Sequence, residues 1–180
     1  MARYITPAET AKLIRGALKA AWPGQKFSVR TDTYAGGASI DVRWTDGPTS
    51  HDVDEVVSAY RGGRFDGMID MAYRVTHFLM PDGSAALAES PGTEGSKGMD
   101  PAYKAFAPSP DAERVRFGAD HVFTHRDISP EREAACRRAW EALPEDERAA
   151  FLCRCRQVWP AENPALVVAY NTGAPRAAQA

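Results

Sequence analysis

Strict alternation of apolar and polar residues on both sides of a glycine pair constrains this chain more than any other feature. The segment spans residues 26–49 and reads KFSVRTDTYAGGASIDVRWTDGPT. Alternation turns one side of a strand toward a core and the other toward solvent. Adjacent glycines allow the positive φ of a chain reversal. The segment therefore predicts a β-hairpin with a loop of roughly four to eight residues centred on residues 34–37, which contain the glycine pair. These side chains are predicted to face inward: Phe27, Val29, Ile40, Val42 and Trp44.

The opposite side of this hairpin is predicted to be polar and to carry charges of both signs. Arginine forks at Arg30 and Arg43 can bind phosphate or carboxylate groups. Asp32 and Asp41 can instead pair with them across the strands. A solvated, self-paired surface and a partner-binding surface both stay open. For the second interpretation the candidate residues are Ser28, Arg30, Gly36, Gly37, Ser39, Asp41 and Arg43.

Helix signals flank the hairpin. Thr6 with Glu9, and Thr49 with Asp52, fit the capping pattern in which an N-cap hydroxyl and an acidic side chain bond to each other's backbone. Apolar residues then recur at helical spacing. These signals predict a helix-hairpin-helix core over residues 6–61.

The sequence predicts one domain over residues 1–160, followed by a tail over 161–180. Weaker signals within the domain indicate a hairpin over 74–88, a long loop over 90–113 and helices over 130–159. A further strand is expected around residues 121–125. The predicted fold is α+β: an antiparallel sheet with the two N-terminal amphipathic helices on one face, plus a C-terminal helical pair.

Composition excludes several classes of protein. The 180 residues are 44% hydrophobic and 26% charged, with a net charge of -2, so nothing draws the whole chain to nucleic acid or anionic membranes. No apolar run approaches the ~20 residues of a membrane span. The first residues lack the apolar stretch of a signal peptide. We expect a cytoplasmic protein with no membrane association.

The cysteines and histidines do not predict a metal site. Cys153 and Cys155 would point ~200° apart on a helix, at about 100° per residue. Together with Cys136 they make an odd number, which favours reduced thiols. His121 and His125 are separated by β-favouring residues, which would hold them ~13 Å apart in an extended chain. We expect neither a metal nor a cofactor.

Catalytic motifs are incomplete. His125-Arg126-Asp127 matches the start of a kinase catalytic loop, but no Gly-rich phosphate loop precedes it. The glycines within 92–98 lack the strand and helix that frame a phosphate-binding loop. We expect a protein that is not an enzyme. A small hydrolase remains an alternative, built on an acidic cluster of Asp41, Asp46, Asp66 and Asp70.

The hairpin and its neighbours resemble a known domain. KFSVRTDTYAGGASIDVRWTDGPT, the preceding ETAKLIRGALKAAWPG and the later FDGMIDM and THFLMPDG are similar to the large polyvalent-protein-associated domain of the twenty-ninth type. The likeness covers at least Tyr4 to Met71. It extends through SPGTEG and RFGADHVFTHRDIS, which leaves only the C-terminal helices outside. The resemblance implies a compact α+β domain carried by phages and conjugative elements.

This resemblance leads to the main hypothesis on function. We expect a mobile-element accessory protein that acts by binding a host protein complex and inhibits a defence system, of the anti-CRISPR or anti-restriction type. The first alternative is a nucleic-acid-binding module that uses Arg30, Arg43, Arg61 and Arg64. The hydrolase is the second alternative. The oligomeric state is left open by the sequence.

Overall fold

The computed structural model describes residues 2–67, 70–89, 107–155, 163–174 and 176. Within them lie nine strands and five α-helices. The strands are β1 Arg3–Ile5, β2 Ser28–Tyr34, β3 Gly37–Thr45, β4 Gly63–Asp66, β5 Met71–Arg74, β6 Thr76–Leu79, β7 Ala85–Glu89, β8 Glu113–Phe117 and β9 His121–Asp127. The helices are α1 Pro7–Ala21, α2 Ser50–Val57, α3 Pro130–Ala142, α4 Glu145–Arg154 and α5 Pro164–Asn171. No helix among these residues is long and apolar enough to cross a membrane.

The helix-hairpin-helix core has the predicted local structure. Both capping boxes form: the backbone N–H of Thr6 donates to Glu9 at 2.8 Å, and that of Thr49 donates to Asp52 at 3.2 Å. The hairpin turns through two residues, with Gly36 at φ 93°, a value that glycine adopts without strain. The reversal is therefore tighter than the loop of several residues that the glycine pair suggested.

Strand pairing differs from the predicted antiparallel sheet. The strand orders are β1-β8-β6-β7, β2-β3-β9 and β4-β5, and the pairs β1–β8 and β3–β9 are parallel. A parallel pair needs a long crossover, and here the chain between β3 and β9 includes α2 and five strands. The mixed α/β class is confirmed. Placement of both N-terminal helices on one face of a sheet stays a prediction.

One hydrophobic cluster joins the N-terminal helices to both larger sheets. Ile14 and Leu18 of α1, Val53 of α2, Ile40 of β3 and Phe117 of β8 are all fully buried members of it. Each such side chain contributes about 1.5–3 kcal/mol by leaving water. Of the five residues predicted to face inward, four are buried, and Phe27 packs partly buried against the cluster.

Residues 118–120 connect β8 of one larger sheet to β9 of the other. After β8, Gly118 N–H donates to the carbonyl of Ile5 at 2.8 Å, and Asp120 N–H donates to that of Ala38 at 2.8 Å. Gly62 lies against this stretch and donates to Ala119 O at 2.8 Å. A Cβ on Gly62 would come 2.2 Å from Phe117 O, so only glycine allows this approach.

The C-terminal region contains more ordered structure than predicted. Residues 161–180 were expected to form a tail, but α5 occupies Pro164–Asn171 and packs on α3. Its residues Ala165, Val167 and Ala169 are buried. The apolar run is too short for its periodicity to distinguish a buried helix from an irregular C-terminal tail. A helix of eight residues draws its stability mainly from tertiary contacts, which the local sequence does not show.

Arg126 attaches this C-terminal region to the hairpin. Its side chain is only 6% exposed, and burial lowers the pKa of Arg126 to about 10, so the guanidinium is still charged at neutral pH. It donates to five backbone carbonyls, those of Asp46, Gly47, Ala169, Tyr170 and Thr172, at 2.8–3.2 Å. The last three lie at the C-terminal end of α5, where carbonyls carry partial negative charge.

We predict that Arg126→Lys lowers the free energy of unfolding by about 3 kcal/mol, because one ammonium cannot replace the planar fork at five carbonyls. Urea unfolding measures the change. Arg138→Lys on the exposed side of α3 is the matched control. An equal effect from both variants would contradict the role assigned to Arg126.

Buried His77 predicts that this protein loses stability in acid. The ring is 1% exposed and lies 4.9 Å from that of Phe117, and its Nδ1 has no hydrogen-bond partner among the described residues. Burial, and secondarily the charge of Arg64, lowers the pKa of His77 from 6.5 to about 4. The neutral form is therefore favoured in the folded state. The folded state therefore has its full stability above pH 6.5 and loses about 3 kcal/mol of it as the pH falls from 6.5 toward 4.

The test compares His77→Phe with the parent protein by urea unfolding at several pH values between neutral and acid. We expect the variant to lose less stability on acidification, and the exposed-site control His121→Phe to behave like the parent. The explanation is wrong if His77→Phe keeps the full acid sensitivity.

Candidate functional site

The three-stranded sheet β2-β3-β9 presents one continuous polar side. Register places Asp32 beside Ser39 and Arg30 beside Asp41. On the other side of β3, Phe123 lies beside Asp41 and His125 beside Arg43. We call this side the outer face. It comprises Ser28, Arg30 and Asp32 of β2, Ser39, Asp41 and Arg43 of β3, and His121, Phe123 and His125 of β9.

Alternation within each strand explains why these side chains share a side. Intervening residues such as Val29, Val42 and Val122 are buried on the inner side. Arg30 and Arg43 are exposed and Asp41 is half-buried, whereas Ser39 is only 8% exposed. Ser28, Arg30, Asp32, Asp41 and Arg43, together with Thr31, line an open groove of about 560 Å³.

The seven candidate residues divide into two groups. Five of them, Ser28, Arg30, Ser39, Asp41 and Arg43, share the outer face, and their common orientation is as predicted. Gly36 and Gly37 lie at the turn. A Cβ on Gly37 would come 2.5 Å from the Asp120 carboxylate, so packing explains this glycine without a ligand. Participation of any of the seven in binding stays a prediction.

Strand β9 contributes functional candidates that lie outside the hairpin. His125 Nε2 lies 3.2 Å from Asp41 Oδ1. Phe123 is 47% exposed beside Asp41, and His121 stacks on it with ring centroids 5.7 Å apart. The alternation of residues 121–125 does predict a strand with these three side chains on one side. Nothing local shows that this strand pairs with β3, so the sequence could not place them next to Arg30 and Arg43.

Charges on the outer face are mixed rather than positive. Arg30 and Arg43 are offset by Asp32 and Asp41. Of the other arginines in the nucleic-acid hypothesis, Arg61 is bonded to Asp54 at 2.5 Å, outside the outer face, and Arg64 is an exposed residue of β4. Arg30 and Arg43 therefore share the outer face, whereas Arg61 and Arg64 lie on other parts of the fold.

The acidic residues proposed for a hydrolase lie on separate elements. Asp41 is on the outer face, Asp66 is in β4 and Asp70 is in a turn at φ 52°. Asp46 follows β3, where its Oδ1 accepts a hydrogen bond from Ser129 N–H at 2.9 Å. In the described parts of the chain, no group of three or more His, Cys, Asp or Glu side chains is placed to hold a metal ion.

The three cysteines are free thiols, as the sequence analysis expected. Cys136 is buried between α3 and α5, Cys153 is exposed on α4 and Cys155 is half-buried. Burial raises the pKa of Cys155, which lowers its thiolate fraction and hence its reactivity.

A second and larger cavity, of about 820 Å³, lies along α1, α2 and the turn between β6 and β7. Leu13, Ala17 and Val56 form part of its apolar floor, and Lys12 and Glu55 lie among the charged residues around it. The hydroxyl of Tyr60, which also lines the cavity, donates to Gly83 O at 2.9 Å and is thereby engaged within the fold.

Comparison with known proteins identifies a family. The family model described as large polyvalent protein associated domain 29 matches residues 5–129. That range includes the entire outer face and ends before α3, so the resemblance seen in the sequence is confirmed. Neither the search of curated proteins nor the search of solved structures gave a significant match.

Truncation to alanine should change the free energy of unfolding much more at one residue of β9 than at its neighbour. We predict that Val122→Ala, at a position only 3% exposed on the inner side, lowers the free energy of unfolding by about 2 kcal/mol. Phe123→Ala, on the outer face, should change it by less than about 0.5 kcal/mol. Urea unfolding of both variants checks the prediction. A large loss for Phe123→Ala would mean that this ring supports the fold and is not free for a partner.

Proposed function

We propose that this chain, which belongs to the family of large polyvalent protein associated domain 29, is an accessory protein that acts by binding a host protein complex. The family associates it with phages and other mobile elements. Such an element must persist in a host that attacks foreign DNA. The target that we propose is therefore a host defence complex, of the CRISPR-effector or restriction type, which the protein inhibits by occupying one of its surfaces.

The observation that carries this proposal is the composition of the outer face. It combines an exposed aromatic ring, Phe123, with an open groove lined by two exposed arginines, Arg30 and Arg43. Aromatic residues and arginine are the types enriched at the energetic centres of protein interfaces. Phe123 supplies apolar area, and the guanidinium forks supply directional hydrogen bonds to acceptors on a partner.

The balance of charge favours a protein over a nucleic acid as the partner. Binding to a phosphate backbone draws its energy from neutralising many negative charges, which requires a predominantly basic surface. Asp32 and Asp41 lie among the arginines of the outer face, and Asp41 is also 3.2 Å from His125. A surface of alternating sign suits a protein partner with the complementary pattern.

The same proposal includes the arrangement of the two N-terminal helices. We place α1 and α2 together on the inner side of the three-stranded sheet, so that the outer face is left free. Contacts of α1 with β2 and β3, and of α2 with β9, support this arrangement. Binding, rather than catalysis, is the activity that we assign to the outer face.

The test is affinity capture from a host lysate with the tagged protein and with Arg43→Asp. We expect a protein complex at near-stoichiometric yield with the parent, and a yield reduced about tenfold or more with the variant, since interface hot spots cost about 2 kcal/mol or more. Arg138→Asp, an exposed site on α3, should capture as the parent does.

Three outcomes would contradict the proposal. The first is that no protein is captured in near-stoichiometric amount, and the second is that Arg43→Asp captures as well as the parent. The third is that purified protein binds nucleic acid with an affinity that falls steeply with salt, since that dependence is characteristic of phosphate contacts.

A further inference from the structure

Strand β2 is an edge of the three-stranded sheet, and the direction of its free backbone groups follows from the bonding of β3. Ala38 O accepts from Asp120 N–H, so Ala38 and the even-numbered residues of β3 direct their backbone toward β9. The odd-numbered residues of β3 therefore bond to β2. Their partners in β2 are even-numbered, as in the pair Arg30–Asp41. Val29, Thr31 and Thr33 consequently direct their N–H and C=O groups away from the sheet.

An independent contact supports this assignment. The Nη2 of Arg15, on α1, donates to the carbonyl of Val29 at 2.5 Å, so that carbonyl is reached by a side chain from outside the ladder. No described residue bonds the outward N–H or C=O groups of Thr31 and Thr33. Residues 30–34 are all exposed. Four outward backbone groups, two donors and two acceptors, thus lie in a row along an accessible edge.

This edge lacks most of the features that prevent strands from pairing. It contains no proline, and its register with β3 is continuous over all seven residues with no bulge. Charged side chains are the remaining feature that usually prevents an exposed edge strand from pairing with another chain. On β2 the charged side chains are Arg30 and Asp32, which have opposite signs and lie two positions apart on the outer face. Such a pair repels many partner strands but is complementary to its own reversed copy.

We infer that the occupant of this edge is a second copy of the chain, paired antiparallel through β2 about a two-fold axis at Thr31. Thr31 then exchanges two hydrogen bonds with the second copy's Thr31. Val29, whose carbonyl also accepts from Arg15 of its own chain, lies opposite Thr33 on each side of the axis. Arg30 of each copy lies directly opposite Asp32 of the other. The product is a six-stranded sheet in the order β9-β3-β2-β2-β3-β9, and the interface is isologous.

The charges also select this register over its neighbours. Moving the axis to position 30 would place Arg30 opposite Arg30, and moving it to position 32 would place Asp32 opposite Asp32. Like charges directly opposite each other destabilise a strand pair, whereas opposite charges stabilise it. The axis at Thr31 is thus favoured over both adjacent registers. The inference requires only the purified chain and is independent of any host partner.

The experiment is sedimentation velocity of the purified protein across micromolar to high-micromolar concentrations. We expect a concentration-dependent species of twice the chain mass. Asp32→Arg should weaken the dimer by about tenfold or more, because it places like charges opposite each other at two symmetric positions. Asp32 pairs with uncharged Ser39 inside the chain, so this change disturbs no charge pair with β3.

Two further variants separate edge pairing from general charge effects. Thr31→Pro removes the donor on the axis and should abolish the dimer. The charge-swapped Arg30→Asp/Asp32→Arg variant is made together with Asp41→Arg, so that position 30 again has an opposite charge beside it on β3. It should recover part of what Asp32→Arg loses, since opposite charges again face each other across the axis. Asp111→Arg, in an exposed loop, is the matched control and should associate as the parent does.

A protein that stays monomeric at every concentration would overturn the inference. So would a dimer that responds equally to Asp32→Arg and Asp111→Arg. If Thr31→Pro fails to fold, as judged by circular dichroism, the comparison of Asp32→Arg with the charge-swapped variant decides by itself: recovery supports the axis at Thr31, and no recovery contradicts it.

Discussion

The parallel pairing of β9 with β3 is the constraint on which the rest of this structure depends. It makes β3 a central strand, hydrogen-bonded on both sides, whose inner residues Ile40 and Val42 are fully buried. The same ladder fixes the two sides of β9. Arg126 goes to the inner side, while Phe123 and His125 join the outer face. A slip of one residue would exchange these sides and place a charged group where a ring now lies.

Arg126 shows how a buried charge can serve a fold without a carboxylate hydrogen-bonded to it. Five carbonyl groups surround its guanidinium, and three of them belong to residues 169–172 at the end of α5. Partial charges of a helix terminus therefore add to the charges of the nearby Asp46 and Asp52 carboxylates in balancing the guanidinium. Because the other two carbonyls follow β3, one side chain joins the N-terminal hairpin to the last helix. The family match ends at residue 129, so this contact joins the matched region to the helices beyond it.

Residue parity divides the outer-face side chains of strand β2 from its free backbone groups. Its even-numbered residues, such as Arg30 and Asp32, direct side chains to the outer face and backbone groups to β3. Its odd-numbered residues direct backbone groups to the free edge. Self-association through the edge would therefore leave the groove side chains of β3 accessible. It would also present two outer faces side by side, which increases the effective affinity for a partner that has repeated sites.

Local patterns in the sequence determined the caps at Thr6 and Thr49, the hairpin and the choice of which hairpin side chains face inward. Each depends on residues within a few positions of one another, so propensity and alternation suffice. Tertiary structure alone decided that residues 121–127 pair in parallel with β3, that Arg126 joins the end of β3 to the end of α5, and that residues 164–171 form a packed helix. Those outcomes depend on contacts between segments separated by about 40 to 80 positions in the chain. Alternation specifies the side of a strand that is buried, but it carries no information about the strand that lies beside it.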